Sequence, residues 1–239
     1  MSEGLIIAID GPAGSGKSTS AKMLADLLGY LYVDTGAMYR AITLLAIEKK
    51  ILQDEEKIIQ SALQSEIVLD FIDGKTYVKL NNRDVTDDIR SIKVNENVSD
   101  VSKIKGVRKI LVDKQREMSK KGRGIVMEGR DIGTVVYPNA DVKIFLTASI
   151  NTRAERRTKE LSESGVNVSV NDIMKNLSER DHIDSNREES PLTKAEDAIE
   201  IDTTKVTIEQ QVQKILNEAV KKADKKGIKL KLKKEFKAD

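Results

Sequence analysis

Eight residues near the start of the chain, Gly11-Pro12-Ala13-Gly14-Ser15-Gly16-Lys17-Ser18, match G-x-x-x-x-G-K-[ST] in full, with Thr19 following. Each residue type in that spacing answers a need of a polyphosphate. The glycines remove Cβ atoms that would stop backbone N–H groups converging on phosphate oxygens. A helix opening at Lys17 adds the partial positive charge of its N-terminus. The Lys17 ammonium is expected to reach the β- and γ-phosphates, and the Ser18 hydroxyl to ligate Mg²⁺. The motif therefore predicts a protein that uses a nucleoside triphosphate, with Mg²⁺ as its cofactor. It does not name the acceptor of the phosphoryl group.

The arginines bear on that acceptor. A hydroxyl acceptor usually needs a base to take its proton. A phosphate acceptor is already ionised and needs positive charge to offset the repulsion between two anions. Arg40 closes the segment Asp34-Thr35-Gly36-Ala37-Met38-Tyr39-Arg40, and Arg130-Asp131 follows the apolar run GIVM. Both lie where strands of an open α/β sheet end and ligands bind. Arg180, Asp184 and Arg187 are spaced i, i+4, i+7, and Arg153, Arg156 and Arg157 are spaced i, i+3, i+4, so each set shares a helix face. One such arginine is ordinarily solvated or ion-paired. Three placements together favour an anionic acceptor. Glu128 has two readings: it orders water on Mg²⁺, or it pairs with an arginine. His182 reads as a surface residue of a charged helix, and Tyr32 and Tyr137 as packing groups.

The elements that must hold these groups are visible as pattern. Leu5–Asp10 is a short continuous apolar run ended by Gly-Pro, as expected of a strand buried on both faces. Lys17–Leu28 reads as a helix with Ala21, Leu24, Ala25 and Leu28 on one face. Leu31–Val33 is a second strand, with helical patterns at Ala37–Lys49 and Glu55–Gln64. The pattern then switches to period two at Glu66–Ile72 and Thr76–Leu80, joined by Asp73-Gly74, with a turn at Asn81-Asn82 and a third short strand over Asp84–Thr86. This predicts a small antiparallel insert over 65–91. Helical spacing resumes from Val94 to Lys120. Gly124–Met127, Val142–Leu146 and Ala198–Ile201 are further strands, with helices at Asn151–Ser162 and Asn171–Asn186 between them. A last helix is capped by Thr207 with Gln210. The alternation predicts a parallel sheet flanked by helices.

Composition excludes other classes. The chain has 239 residues, 39% hydrophobic and 33% charged, enough to bury a core of its own. It has no apolar run near the length of a membrane span. Its first residues, MSEGLIIAID, are not expected to act as a secretion signal. There are no cysteines, which excludes disulfides and thiolate metal sites, and the single histidine, His182, comes close to excluding a Ser-His-Asp triad or a multi-histidine metal site. The net charge of +2 hides an asymmetry. Residues 221–239 hold nine lysines against three acids, and the rest of the chain is mildly acidic. No nucleic-acid partner is expected. The Lys-rich extension from Lys225 reads as a solvated tail, with Ile228, Leu230 and Leu232 alternating with lysines.

The strings GPAGSGKST, DTGAMYR, EGRDIGTVVYPNA, KIFLTAS, ERD…D..R…SPL and IDTT occur in an order that resembles bacterial cytidylate kinases over about Leu5 to Ala223. The resemblance implies a P-loop nucleoside monophosphate kinase core with a five-stranded parallel sheet, a small antiparallel β insert and a short helical lid. It places the core at 1–64 and 92–224, the CMP-binding insert at 65–91, the lid at about 153–168 and an extension at 225–239. It implies transfer of the γ-phosphoryl group of ATP to CMP or dCMP. By the same resemblance, ATP would lie on residues 11–19, written out Gly11, Pro12, Ala13, Gly14, Ser15, Gly16, Lys17, Ser18 and Thr19. Arg40, Arg130 and Arg187 would hold the acceptor phosphate, with Thr35 and Tyr39 beside it. Ser99, Arg108 and Asp131 would meet the cytosine edge, and Arg180 and Asp184 the ribose hydroxyls. Arg153, Arg156 and Arg157 would be lid arginines against ATP. Lys17, Arg130, Arg153 and Arg157 would act on the transferred group. The resemblance further implies a cytoplasmic protein, and no heptad pattern suggests more than a monomer. The chain departs from the family at Lys105-Gly106, where a proline is expected near Arg108, and in its C-terminal extension. Two alternatives remain from the residues alone: a kinase for UMP, AMP or a small hydroxyl acceptor, and a nucleotide-gated binding protein.

Overall fold

The computed structural model describes residues 4–72, 74–119, 124–163 and 165–233. In chain order the elements are β1 (Ile6–Asp10), α1 (Lys17–Leu28), β2 (Leu31–Asp34), α2 (Thr35–Glu48), α3 (Glu55–Gln64), β3 (Ile67–Ile72), β4 (Lys75–Leu80), β5 (Arg83–Asp84), α4 (Ile92–Lys103), α5 (Lys105–Ser119), β6 (Ile125–Gly129), β7 (Val142–Thr147), α6 (Ile150–Glu163), α7 (Val170–Asn186), β8 (Ile199–Asp202) and α8 (Ile208–Lys226). A 3₁₀ turn, Asp88–Arg90, precedes α4, and a π-helical turn, Ile132–Val136, follows β6.

β1, β2, β6, β7 and β8 form one parallel sheet in the order β2-β6-β1-β7-β8. The central strand is covered on both sides, which is why its sequence is a continuous apolar run. Ile7 and Ile9 face one layer, built with Leu24 of α1 and Val212, Ile215 and Leu216 of α8. Ala8 faces the other, built with Val112 of α5 and Ile132 and Val136 of the π-helical turn. The same alternation sends Asp10 toward the π-helical turn. In β6 it sends Glu128, on the side of Val126, toward α1. Burying each such aliphatic side chain stabilises the fold by about 1.5–3 kcal/mol relative to exposure.

β3, β4 and β5 form a separate antiparallel sheet. Leu69 sits opposite Val78 and Ile67 opposite Leu80. Gly74 has φ 75° in the connection of β3 to β4, and Asp73 lies outside the described residues. Asn81 and Asn82 have φ of 51° and 66°, the paired positive values that a two-residue turn requires and asparagine tolerates. That turn sets the register, so the third strand is Arg83–Asp84 and not Asp84–Thr86. The Thr86 hydroxyl accepts the Val78 N–H at 2.9 Å and ends the ladder.

Three more boundaries differ from the pattern-based expectation. α2 opens at Thr35, two residues early, because the Asp34 carboxylate accepts the Ala37 N–H at 3.0 Å and caps the helix directly from the strand end. The stretch expected as one helix from Val94 is two, broken where Ile104 takes an extended ψ of 113°; Lys120 lies outside the described residues. α5 starts without a proline, and Gly106 lets it approach α3, since a Cβ there would meet Ile59 at 2.5 Å. The start of the extension is not a free tail. Gly227 ends α8 at φ 68°, Ile228 and Leu230 pack on the core, and the Lys233 N–H donates to the Leu27 carbonyl at 2.8 Å. An exposed C-terminal carbonyl of α1 thereby gains a donor. Leu232 remains 46% exposed, and residues 234–239 lie outside the described residues. Among the described residues no helix is long and apolar enough to cross a membrane.

Candidate active site

The C-terminal ends of β1, β2 and β6 open onto one cavity of about 1010 Å³. Its lining runs from the loop Ala13–Thr19 through Asp34–Arg40 to Ser99, Arg108, Arg130–Asp131 and Arg180–Arg187. Eleven lysines and arginines line it against seven carboxylates, so the field inside favours anions.

The loop after β1 is shaped by its glycines. Gly11 has φ 146°, and a Cβ there would lie 2.1 Å from the Leu146 carbonyl of β7. Gly14 and Gly16 are left-handed at 75° and 90°, with Gly16 leading into α1. Thr203 braces the loop from below, its hydroxyl donating to the Ser15 carbonyl at 3.0 Å. Lys17 is 5% exposed and folds back onto its own loop, donating to the Pro12 carbonyl at 2.6 Å. Burial, with Arg130 nearby, lowers its ammonium to about 7.

Glu128 sits beside this loop at the end of β6 and is buried. Its partner is the Tyr32 hydroxyl, which donates at 2.7 Å, with the Ser18 hydroxyl also beside it. Burial, and then Asp34, raise its carboxyl above the ordinary value. Tyr32 is therefore more than a packing group, although its ring also packs on Phe71 at 5.0 Å. Tyr137 donates its hydroxyl to the Gln115 carbonyl at 3.1 Å. His182, on α7, is bonded to Asn186 and exposed.

The other side of the cavity is assembled from α2, α4, α5, the end of β6 and α7. Asp34 caps α2 and also pairs with Arg40 at 2.7 Å. Burial alone would raise the Asp34 carboxyl, but Arg40 and the Ala37 N–H hold it below the usual range. Thr35 donates to the Glu128 carbonyl at 2.8 Å and joins β2 to β6. Arg108, 3% exposed, ion-pairs with Asp131, 4% exposed, and donates to the Ser102 carbonyl at 3.1 Å. Its guanidinium lies over the Tyr39 ring, 5.2 Å from the centroid. Burial pushes the Tyr39 hydroxyl up to about 12. Ser99 lines the cavity on α4. On α7, Asp184 accepts from Arg130 Nε at 2.8 Å and stands 3.5 Å from Arg187. Burial alone would raise its carboxyl, but Arg130 holds it low. Arg180 is nearly buried, and burial and Arg130 lower it to about 10.

One feature unites this side. Tyr39 Oη, Arg40 Nε, Arg108 Nε, Arg180 Nε and one terminal nitrogen of Arg187 are buried without a hydrogen-bond partner, and all five residues line the cavity. All five atoms are donors. Leaving one buried donor unpaired costs about 1–3 kcal/mol. These atoms are themselves closed to solvent, but the residues that carry them line the cavity and make its wall cationic, which suits a ligand rich in acceptor oxygens.

The three arginines of α6 part company. Arg156 and Arg157 line the cavity, and Arg153 lies behind the loop. Arg153 donates to the Ala13 and Ala148 carbonyls at 3.1 Å and pairs with Asp181 at 2.7 Å. Arg156 donates to the Thr203 carbonyl at 2.7 Å, and Arg157 pairs with Glu160 at 2.9 Å. Gly165, at φ 80°, ends the run of α6, with the Val166 N–H returning to the Leu161 carbonyl. Pattern reading missed the partners that hold these groups: Asp34 for Arg40, Asp181 for Arg153 and Tyr32 for Glu128. It also missed Lys22, Arg90 and Lys159, three further cations lining the cavity. Asp34 carried a readable signal, since an aspartate between an apolar run and a helical pattern is an N-cap.

Comparison with known proteins agrees with the geometry. The cytidylate kinase family model matches residues 7–221. A cytidylate kinase of Fusobacterium nucleatum is 51% identical over 210 residues, covering 88% of this chain and 94% of that protein. One from Caldanaerobacter subterraneus is 50% identical, covering 90% and 94%. Among solved structures, an uncharacterized protein from Eubacterium ventriosum matches with a TM-score of 0.50 at 12% identity over 90% of this chain and 98% of its own, which is a likeness of fold alone.

Proposed function

The chain belongs to the cytidylate kinase family, and from that membership we infer that it transfers the γ-phosphoryl group of ATP to CMP or dCMP, giving ADP and CDP or dCDP. The observation that carries the reading beyond the family is the gathering of Arg40, Arg108, Arg130, Arg180 and Arg187 around one side of the cavity, apart from the loop that holds Lys17. A nucleotide-gated binding protein needs one nucleotide site and has no use for a second cluster of cations.

In the proposed reaction an oxygen of the CMP phosphate attacks the γ-phosphorus. The bond from γ-phosphorus to the β–γ bridging oxygen breaks, and ADP keeps that oxygen. No base is needed, because the nucleophile is already ionised. The work of the chain is positioning and charge. Backbone amides of residues 11–19 receive the ATP phosphates, and Lys17 moves from the Pro12 carbonyl to the β- and γ-oxygens. Arg40, Arg130 and Arg187 hold the acceptor phosphate, with Thr35 and Tyr39 beside it. Arg180 and Asp184 take the ribose hydroxyls. Asp131 accepts from the cytosine amino group, Arg108 donates to N3 and O2, and Ser99 lies at the same edge. Arg157, whose pairing with Glu160 is exposed and thus weak, is the lid arginine free to swing onto the transferring group. Arg156 and Arg153 secure the lid to the ATP side. The lid over 153–168 and the insert over 65–91 would close on the two nucleotides and exclude water as a competing acceptor.

The residues fit Mg²⁺. Ser18 offers a hydroxyl, with the Glu128 carboxylate beside it. Among the described residues no cluster of three His, Asp or Glu is placed to enclose an ion. A site with few protein ligands suits Mg²⁺, which keeps its waters and substrate phosphates. Ser18 would ligate it and Glu128 would order its water shell, and the ion would supply neutralisation of phosphate charge. The absence of cysteine fits a reducing compartment, and we place the enzyme in the cytoplasm as a monomer.

The test is ADP release from ATP and Mg²⁺ with CMP, dCMP, UMP, AMP or no acceptor. Fast turnover with CMP and dCMP alone is expected. Preference for UMP or AMP would overturn the base-reading assignment, and ADP release independent of acceptor would overturn the kinase reading. Arg40→Ala and Arg187→Ala are each expected to raise the CMP KM and lower kcat, with kcat/KM for CMP down about 10- to 100-fold. A change confined to the ATP KM would place these arginines on the wrong nucleotide.

A further inference from the structure

Asp10 takes no part in the chemistry described above, yet it lies directly behind the site. It is the last residue of β1 and immediately precedes the phosphate loop. It is 5% exposed and does not line the cavity. Its hydrogen-bond partners are two backbone amides and not a cation. Oδ1 accepts the Ile132 N–H at 2.8 Å, and Oδ2 accepts the Gly133 N–H at 2.7 Å.

Those amides open the π-helical turn. The turn's own bonds begin only later, with the Val135 and Val136 N–H groups reaching back to the Asp131 carbonyl. The first amides of a helical turn have no internal acceptor and must find one outside. Burial outweighs the two amides and leaves this carboxyl at about 6, with Asp131 raising it and Lys17 lowering it. Lys17 acts on this carboxylate only through space, so its two hydrogen bonds to backbone amides are what fix its place.

The placement ties two sites together. Gly129 is in register with Asp10 across β1 and β6. Ile132 and Gly133 hang from the Asp10 carboxylate. Only Arg130 and Asp131 lie between these two fixed points. On the other side Asp10 continues into Gly11, where a side chain would collide with β7. One residue thus anchors both the phosphate loop and the dipeptide facing the acceptor.

We propose that Asp10 is a positioning residue that holds Arg130 and Asp131 in register with the phosphate loop, and so sets acceptor affinity and base selectivity without touching either nucleotide. The proposal rests on the roles given above to Arg130 and Asp131. Both carboxylate oxygens are in use, so Asp10→Asn is the informative change. The amide keeps one acceptor and turns an NH₂ group toward the other N–H, leaving one tie broken at nearly constant volume. A small displacement of reacting groups is enough to cost a large factor in rate.

In Asp10→Asn, kcat/KM for CMP is expected to fall about 10- to 100-fold and the CMP-over-UMP preference about 10-fold. ADP affinity measured by calorimetry on the free enzyme should stay within about 2-fold. A purely structural role would lower thermal stability and weaken both nucleotides alike. Equal losses on both, or an unchanged CMP reaction, would overturn the proposal. If Asp10→Asn does not fold, amide hydrogen exchange in the wild-type protein decides. Ile132 and Gly133 should exchange as slowly as the amides of β1, and exchange at the rate of exposed loops would refute the tie. Should the wild-type enzyme prefer another acceptor, the CMP reading falls, while the split between donor and acceptor, measured on that acceptor, still decides the role of Asp10.

Discussion

Lys17→Ala is expected to lower kcat about 1,000-fold while leaving the protein folded. The fold does not depend on this ammonium. Lys17 is nearly inaccessible, and its contacts are the carbonyl and hydroxyl of its own loop, Pro12 at 2.6 Å and Ser15 at 3.5 Å. Burial and the neighbouring Arg130 disfavour its charge. A desolvated cation held on one carbonyl is an expense to the free protein, and truncating it relieves that expense. Circular dichroism should show an unchanged spectrum and a melting temperature no lower than wild type. In the reaction the balance reverses. Phosphate oxygens supply negative charge to the ammonium, and charge migrates toward the β–γ bridging oxygen as its bond breaks. A preformed donor at that point acts more strongly in the transition state than in the ground state, so its loss falls on kcat. ATP affinity should fall far less, because the backbone amides of the loop remain. A variant that kept kcat within about 10-fold of wild type would remove Lys17 from the transferred group. Unfolding of the variant would instead contradict the reading of its contacts.

How much of this site could be read from the sequence depended on how local its determinants are. The phosphate loop was fully legible, because its geometry follows from Gly11, Gly14 and Gly16 and from the helix that opens at Lys17. The capping box of Thr207 and Gln210 was legible for the same reason, and both of its bonds are present. The strands of the parallel sheet showed as apolar runs, since burial on both faces leaves no room for alternation. Boundaries failed where a side chain decided them: Asp34 pulled α2 forward to Thr35, and Thr86 cut β5 short. The π-helical turn at Ile132–Val136 left no periodic trace. Five residues are too few to show a period, and what holds its first amides is Asp10, more than a hundred positions away. The same limit hid the partners of the site arginines. Arg153 and Asp181, or Arg130 and Asp184, meet only because α6, α7 and β6 converge. The tail was misread because alternation of Ile228 and Leu230 with lysines fits a solvated strand as well as a strap laid on α1 and α8.

Asp131→Asn is expected to reduce the ratio of kcat/KM for CMP over UMP about 1,000-fold. Asp131 and Arg108 form a buried ion pair, and Arg108 is further fixed by the Ser102 carbonyl and the Tyr39 ring. The pair is thus assembled before any base arrives, and a base is measured against it. Cytosine offers an amino donor beside the N3 and O2 acceptors, which complements a carboxylate beside a guanidinium. Uracil turns a carbonyl to the carboxylate, and two acceptors then face each other without water to separate them. Asparagine removes both halves of this discrimination. If its oxygen takes the cytosine amino group, its NH₂ faces the Arg108 donors. If its NH₂ turns to the base, it meets the cytosine amino group but suits the uracil carbonyl. CMP keeps its bond only in the first orientation, at the cost of an NH₂ group against the Arg108 donors, and UMP gains a bond in the second. The substitution also leaves Arg108 buried without its counter-charge, a break that costs about 3–5 kcal/mol in such pairs. A lower melting temperature is therefore expected alongside the change in preference. Measuring both acceptors on one preparation makes the ratio independent of the fraction of enzyme that is folded. A lower melting temperature with an unchanged ratio would leave Asp131 as a structural partner of Arg108 and move base recognition elsewhere in the cavity, with Ser99 on α4 the next residue to test.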